Sequence, residues 1–163
     1  MTFGIIGSGA FGTALSISLS STNKKLILWT RNQDVVNSVQ EIRENRLRLP
    51  GYILPQNIIV TNDINQMGNC SIILIAVPMQ QLRSVVELHR SSLEGKILVA
   101  CCKGFEVSTG LGPTSILEMA SNRTAVLTGP SFAADLASGF PTALTVASKV
   151  EGLAQYIQSE LGT

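Results

Sequence analysis

Near the start of the chain, Gly7-Ser8-Gly9-Ala10-Phe11-Gly12 has the glycine spacing G-x-G-x-x-G. A short apolar run (residues 3–6) precedes it and an amphipathic stretch (residues 11–20) follows, so the glycines fall where a strand turns into a helix. In that context each glycine has its own reason. Gly7 permits a tight turn, Gly9 lets the backbone approach a pyrophosphate, and Gly12 lets helix and strand pack closely. The anion then rests on the free N–H groups and positive dipole end of the helix. A tight turn with no ligand is the alternative reading.

The second candidate strand ends Trp29-Thr30-Arg31-Asn32, with no acid until Asp34. A site selective for NAD places Asp or Glu there to accept a bond from the ribose 2′-hydroxyl. Arg31 is instead a candidate for a 2′-phosphate or for stacking on adenine, which points to NADP, or to both NADP and NAD. A solvated surface charge is the alternative.

Three more punctuated segments follow later strands: Val77-Pro78, Lys103-Gly104-Phe105-Glu106 and Gly129-Pro130-Ser131-Phe132-Ala133. Lys103 is the sole basic residue between Lys96 and Arg123, at the mouth of an apolar strand. An ammonium there would meet an anion or polarise a carbonyl, if it is not an ordinary surface lysine. Ser131 sits where it can cap the next helix, and the same turn offers N–H donors to a ligand. Ligands of open α/β sheets bind outside the carboxyl ends of the strands, so all four segments are expected to line one crevice.

Other chemistry is poorly supported. His89, the single histidine, falls on a candidate helix away from the strand ends and reads as structural. Cys70, Cys101 and Cys102 have no metal-ligand spacing and read as reduced packing residues; no metal site is expected. Glu41, Glu44, Glu87 and Glu94 form no pair suited to acid–base work. Trp29 and Tyr52 suit either the core or contact with a nucleotide.

These motifs need a sheet to hold them. Candidate strands cover residues 3–6, 26–29, 58–61, 72–76, 97–100, 125–127 and 143–147, and candidate helices 11–20, 33–44, 80–88, 112–119, 132–137 and 150–161, with a loop over 45–56. Alternation of this kind signals βαβ units and a doubly wound parallel sheet in one domain over residues 1–163. With 45% of residues apolar, 14% charged and a mean hydropathy of +0.29, the chain is not disordered and fits a sheet buried on both faces. Twelve basic residues balance eleven acidic ones without a dense cationic run, which argues against nucleic acid and anionic membranes. The longest strongly apolar run, residues 72–77, is far short of the roughly 20 needed to span a bilayer, and the opening residues lack the basic-then-apolar pattern of a signal peptide, so none is expected. A cytoplasmic location is expected.

Taken together, the motifs resemble the N-terminal, Rossmann-like domain of bacterial-type NAD(P)-dependent glycerol-3-phosphate dehydrogenases, through essentially the whole chain. The glycine loop with its aromatic, the second-strand end at residues 29–32, "N..YLPG..LP" at 45–55, "AVP.Q.LR" at 76–83, "KG.E..T" at 103–109 and "GPSFA.E.A.G.PTA" at 129–143 occur in the family's order. Arg48 stands where the family commonly has Tyr, and Asp135 where it has Glu. The resemblance implies that Ala10, Phe11, Arg31, Lys103 and Ala133 contact the dinucleotide, and that Lys103, Gly129 and Ser131 contact glycerol 3-phosphate. It also implies an all-helical substrate domain beyond Thr163, carrying the proton-acceptor lysine, so that no catalytic residue lies within this chain. The implied reaction is reversible hydride transfer between NAD(P)H and dihydroxyacetone phosphate, serving glycerophospholipid synthesis, with a homodimer as a candidate assembly. Two other readings compete: a reductase of a 2-keto or 3-hydroxy acid, and a non-catalytic nucleotide sensor or S-adenosylmethionine-binding module.

Overall fold

A computed structural model describes residues 2–21 and 24–162. Strands β1 (Thr2–Ile6), β2 (Lys25–Trp29), β3 (Ile58–Thr61), β4 (Ile72–Ile75), β5 (Ile97–Ala100), β6 (Thr124–Thr128) and β7 (Thr145–Ala147) form one sheet. Their order is β3-β2-β1-β4-β5-β6-β7. Helices are α1 (Ala10–Ser20), α2 (Gln33–Ile42), α3 (Met79–Leu88), α4 (Arg90–Leu93), α5 (Pro113–Leu117), α6 (Ala133–Ala137) and α7 (Leu153–Leu161), with a 3-10 turn at Ile64–Asn69.

Strand parity splits the core in two. Phe3 and Ile5, Ile72 and Leu74, and Ile97 and Val99 pack with Leu15, Leu136 and Ile157 of α1, α6 and α7. The alternate residues Ile6, Ile73, Ile75 and Leu98 pack with Leu82, Val86, Ile116 and Leu117 of α3 and α5. Both faces of the central strands are therefore covered, which is why they read as unbroken apolar runs rather than alternating ones.

Six strands are parallel, as expected, whereas β7 runs antiparallel to β6 with Leu127 opposite Val146. The β6–β7 connection contains only the five-residue α6, and β7 re-enters the sheet in the opposite direction. Element ends also shift. Helix α2 stops at Ile42 because Arg43 adopts φ 56, and the Arg43 guanidinium then donates to the carbonyls of Leu54, Pro55 and Ile58. Helix α5 begins at Pro113, whose missing N–H costs nothing in the first turn. Helix α7 begins only at Leu153, after Gly152 at φ +73. The short α4 and the 3-10 turn are not foreshadowed by apolar periodicity. Among the described residues, no helix is long and apolar enough to cross a membrane.

Candidate functional site

The sheet order reverses between β1 and β4, since the chain adds β2 and β3 on one side and β5 to β7 on the other. A crevice opens at such a reversal because successive connections leave in opposite directions. Its volume is about 360 Å³, and its walls are Gly9, Ala10 and Phe11 after β1, Ala76, Val77 and Pro78 after β4, Cys101 and Lys103 after β5, and Ser131 after β6. All four punctuated segments thus meet. A larger hollow of about 510 Å³ between α1, α6, β7 and α7 is lined by Leu15, Leu136, Val146, Gln158 and neighbours, with no charged side chain. None of the glycine-turn residues lines it, and it lacks the chemistry of the first.

Two glycines of the turn are obligatory for steric reasons. Gly7 has φ +109, and a Cβ there would stand 2.5 Å from the Ala76 carbonyl oxygen. A Cβ on Gly12 would stand 1.9 Å from the Gly7 carbonyl oxygen, inside any permitted contact. A Cβ on Gly9, by contrast, would meet nothing within 4 Å, so the space over that backbone is open. Gly9 is also the N-cap of α1, and no side chain caps this eleven-residue helix. An open approach to uncapped N–H groups is what a pyrophosphate requires.

Beneath the turn lies a neutral hydrogen-bond network. The Asn45 amide donates to the Ser8 carbonyl and to the Thr13 hydroxyl, both at 2.9 Å. Ser8 Oγ donates to Thr30 Oγ1 at 2.7 Å, and Thr30 Oγ1 also accepts from the Asn32 N–H at 3.1 Å. Asn45 and Thr13 are fully buried, and Ser8 and Thr30 nearly so. The network ties the glycine turn to the end of β2, where Arg31 is exposed. Asp34 lies exposed in the first turn of α2, its N–H capped by the Asn32 side chain at 2.8 Å.

On the other wall, Lys103 Nζ donates to the Gly129 carbonyl at 3.0 Å and is otherwise exposed. Gly129 is itself enclosed, since a Cβ there would lie 2.4 Å from the Ala143 carbonyl oxygen. Ser131 does not cap α6: the N-cap is Phe132, without a side-chain bond, and Ser131 Oγ donates to the Ala143 carbonyl at 3.3 Å. The return of residues 142–144 beneath the turn supplies a nearer acceptor than the helix offers donors. Ala133 is half-buried against the α1 side of the core.

Glu106 is the site-side residue whose role the pattern of residue types did not reveal. It is a buried carboxylate, 5% exposed, held by both arms of the Arg83 guanidinium and by the Thr109 hydroxyl. These bonds hold its carboxyl down at about 2. The available signal was the pair of motifs at 76–83 and 103–109, which contain Gln80, Arg83, Glu106 and Thr109 at fixed positions.

Remaining candidates fall outside the crevice chemistry. The His89 ring packs edge-on against Trp29 at 5.0 Å, and its burial disfavours the protonated form. Trp29 is a core residue, whereas the Tyr52 hydroxyl pairs with Ser138 Oγ at 3.0 Å. All three cysteines are free, and burial pushes each thiol up, Cys70 to about 11, so none is a ready nucleophile. Among the described residues no group of three or more His, Cys, Asp or Glu could hold a metal ion.

Residues 2–154 match the family model for the N-terminus of NAD-dependent glycerol-3-phosphate dehydrogenase. The chain belongs to this family. It is 46% identical to a glycerol-3-phosphate dehydrogenase [NAD(P)+] of Ruegeria sp. (strain TM1040), over all of this chain and 51% of that protein. It is 45% identical to the one from Roseobacter denitrificans, over 99% of this chain and 51% of that one. The crystal structure of glycerol-3-phosphate dehydrogenase from Coxiella burnetii superimposes with a TM-score of 0.90 at 26% identity, covering 98% of this chain and 50% of its own. The chain therefore spans about half the length of the glycerol-3-phosphate dehydrogenases it matches.

Proposed function

We propose that this chain is the dinucleotide-binding half of an enzyme that interconverts dihydroxyacetone phosphate and sn-glycerol 3-phosphate with NADP or NAD. The observation that carries this reading is the crevice at the strand reversal, where an uncapped helix N-terminus faces open space over Gly9 and Lys103 stands on the opposite wall. The residues fit a dinucleotide. Gly9, Ala10 and Phe11 would hold the pyrophosphate, with Gly7 and Gly12 shaping the turn, and Arg31 would meet the adenosine end. Lys103 and Ala133 would flank the nicotinamide end, and Lys103, Gly129 and Ser131 would meet the substrate. The dinucleotide supplies or accepts the hydride. The Lys103 ammonium would neutralise charge on the substrate oxygen, held in place by the Gly129 carbonyl.

We further assign the proton acceptor to a lysine beyond residue 163, in a helical domain that closes over the crevice. Exposed apolar side chains beside the carboxyl ends of β5 and β6, Phe105, Val107, Phe132 and Phe140, are 63–86% exposed and support a covering domain. A cytoplasmic enzyme of glycerophospholipid synthesis, dimeric as a whole, is consistent with this reading. Calorimetric titration of the chain with NADPH, NADH and S-adenosylmethionine tests it. NADPH binding that weakens about tenfold in Arg31→Ala, the loss of one charge-assisted contact, is the expected result. Binding of S-adenosylmethionine without either nicotinamide dinucleotide would overturn it.

A further inference from the structure

The loop carrying Lys103, residues 101–112, crosses from β5 to α5 with no regular element of its own. Such a segment carries conformational entropy that a precisely placed ammonium must not have. Two side chains of α3, three residues apart and hence neighbours on the helix surface, reach across to it. Gln80 uses both ends of its amide: Nε2 donates to the Phe105 carbonyl at 2.9 Å, and Oε1 accepts from the Val107 N–H at 3.0 Å. A neighbouring β-strand would engage the same stretch of backbone in this way. Between those two bonds lies Glu106, gripped by Arg83 through Nε at 2.8 Å and Nη2 at 2.7 Å. The loop closes on itself at the same residue, with the Glu106 N–H donating to Leu111 and the Gly110 N–H donating to the Glu106 carbonyl.

Three consecutive residues, 105 to 107, are thus fixed to α3. Lys103 precedes them by a single residue, Gly104, at φ +91. Its far end is fixed by the Gly129 carbonyl. Gln80 is exposed and contributes nothing to the apolar core, so its two bonds serve the loop alone. We infer that Gln80 and Arg83 are positioning residues for Lys103, docking its loop on α3 so that the ammonium faces the crevice before any ligand arrives. The inference rests on the reading of Lys103 as a ligand-binding cation.

A double-mutant cycle on the whole chain tests it, with NADPH as one probe and adenosine 2′,5′-bisphosphate, which lacks the nicotinamide end, as the other. Lys103→Ala and Gln80→Ala are each expected to weaken NADPH binding by about tenfold or somewhat less, the scale of one charge-assisted hydrogen bond. The double variant should bind no more weakly than Lys103→Ala alone, because Gln80 acts through Lys103. Adenosine 2′,5′-bisphosphate should bind all four proteins equally, and Gln80→Ala should melt at the wild-type temperature. Gln80→Glu keeps the acceptor for Val107 but turns a carboxylate oxygen on the Phe105 carbonyl, and should match Gln80→Ala. Additive losses in the double variant, unchanged NADPH binding by Gln80→Ala, or equal losses for both probes would overturn the inference. A wild-type chain that binds neither probe would instead overturn the dinucleotide reading, and the inference with it.

Discussion

The two walls of the crevice are held by different physics. On the glycine-turn side, position is set by backbone contact distances at Gly7 and Gly12 and by the uncharged, buried bonds of Asn45, Ser8, Thr13 and Thr30. On the Lys103 side it is set by an ion pair between Glu106 and a part-exposed Arg83, together with one exposed amide. The first wall is rigid for steric reasons and has no titrating member. The second is fixed by an ion pair and by exposed hydrogen bonds, so its anchoring is sensitive to acid where the first is not.

Gly12→Ala is expected to have the largest effect, at the glycine-turn wall. The new Cβ would sit 1.9 Å from the Gly7 carbonyl oxygen, and neither backbone can yield without disturbing both β1 and α1. A loss of about 1–3 kcal/mol in urea unfolding is expected, with NADPH binding abolished in a calorimetric titration. Retained binding would show that the turn is softer than its contacts imply.

A smaller effect is expected for Asn45→Ala, which removes two buried donors and leaves the Ser8 carbonyl and Thr13 hydroxyl short of a partner. A cost of about 1 kcal/mol follows from the two lost bonds, because the Thr13 hydroxyl still donates to the Ser8 carbonyl, and NADPH affinity should fall with it while the pH dependence of stability stays that of the wild type. A change in the pH profile would contradict the neutral character of this wall.

Glu106→Gln tests the other wall through its pH dependence, because the substitution removes the ion pair and turns an amide NH2 toward one Arg83 N–H while the amide oxygen still accepts from the remaining partners. The wild-type carboxyl lies near 2, below its unfolded value of about 4.3. Its contribution to stability is therefore complete above about 4.3 and is lost as pH falls through 2, where the folded protein also takes up the proton. Chemical denaturation at pH 5, 4, 3 and 2 should show the gap between wild type and variant narrowing steadily. A constant gap would mean that the pair does not titrate as a bonded unit.

Much of this arrangement was legible in the residues. The glycine spacing after a β-branched run marked the turn, and the apolar runs at residues 72–76 and 97–100 marked strands buried on both faces, because local sterics and solvent exclusion act through neighbouring residues. The function of Glu106 was not legible from residue type. A carboxylate in a loop reads as solvated, and only the approach of α3, 23 residues earlier in sequence, turns it into a buried anchor. Asn45 is a similar case. It falls in a segment that reads as a surface loop, yet Arg43 folds that segment back under the glycine turn, 37 residues away from its partner Ser8.

The residues alone set the alternation of strands and helices, the place of the glycine turn, and the apolar parity that covers both sheet faces, all consequences of local backbone sterics and the burial of apolar side chains. Only the tertiary structure decided the antiparallel entry of β7, the convergence of four loops on one crevice, the bonding of Lys103 to Gly129 and the docking of its loop on α3. Each of these depends on hydrogen bonds and ion pairs between segments distant in the chain, and such bonds form only where packing excludes water and brings the partners within about 3 Å.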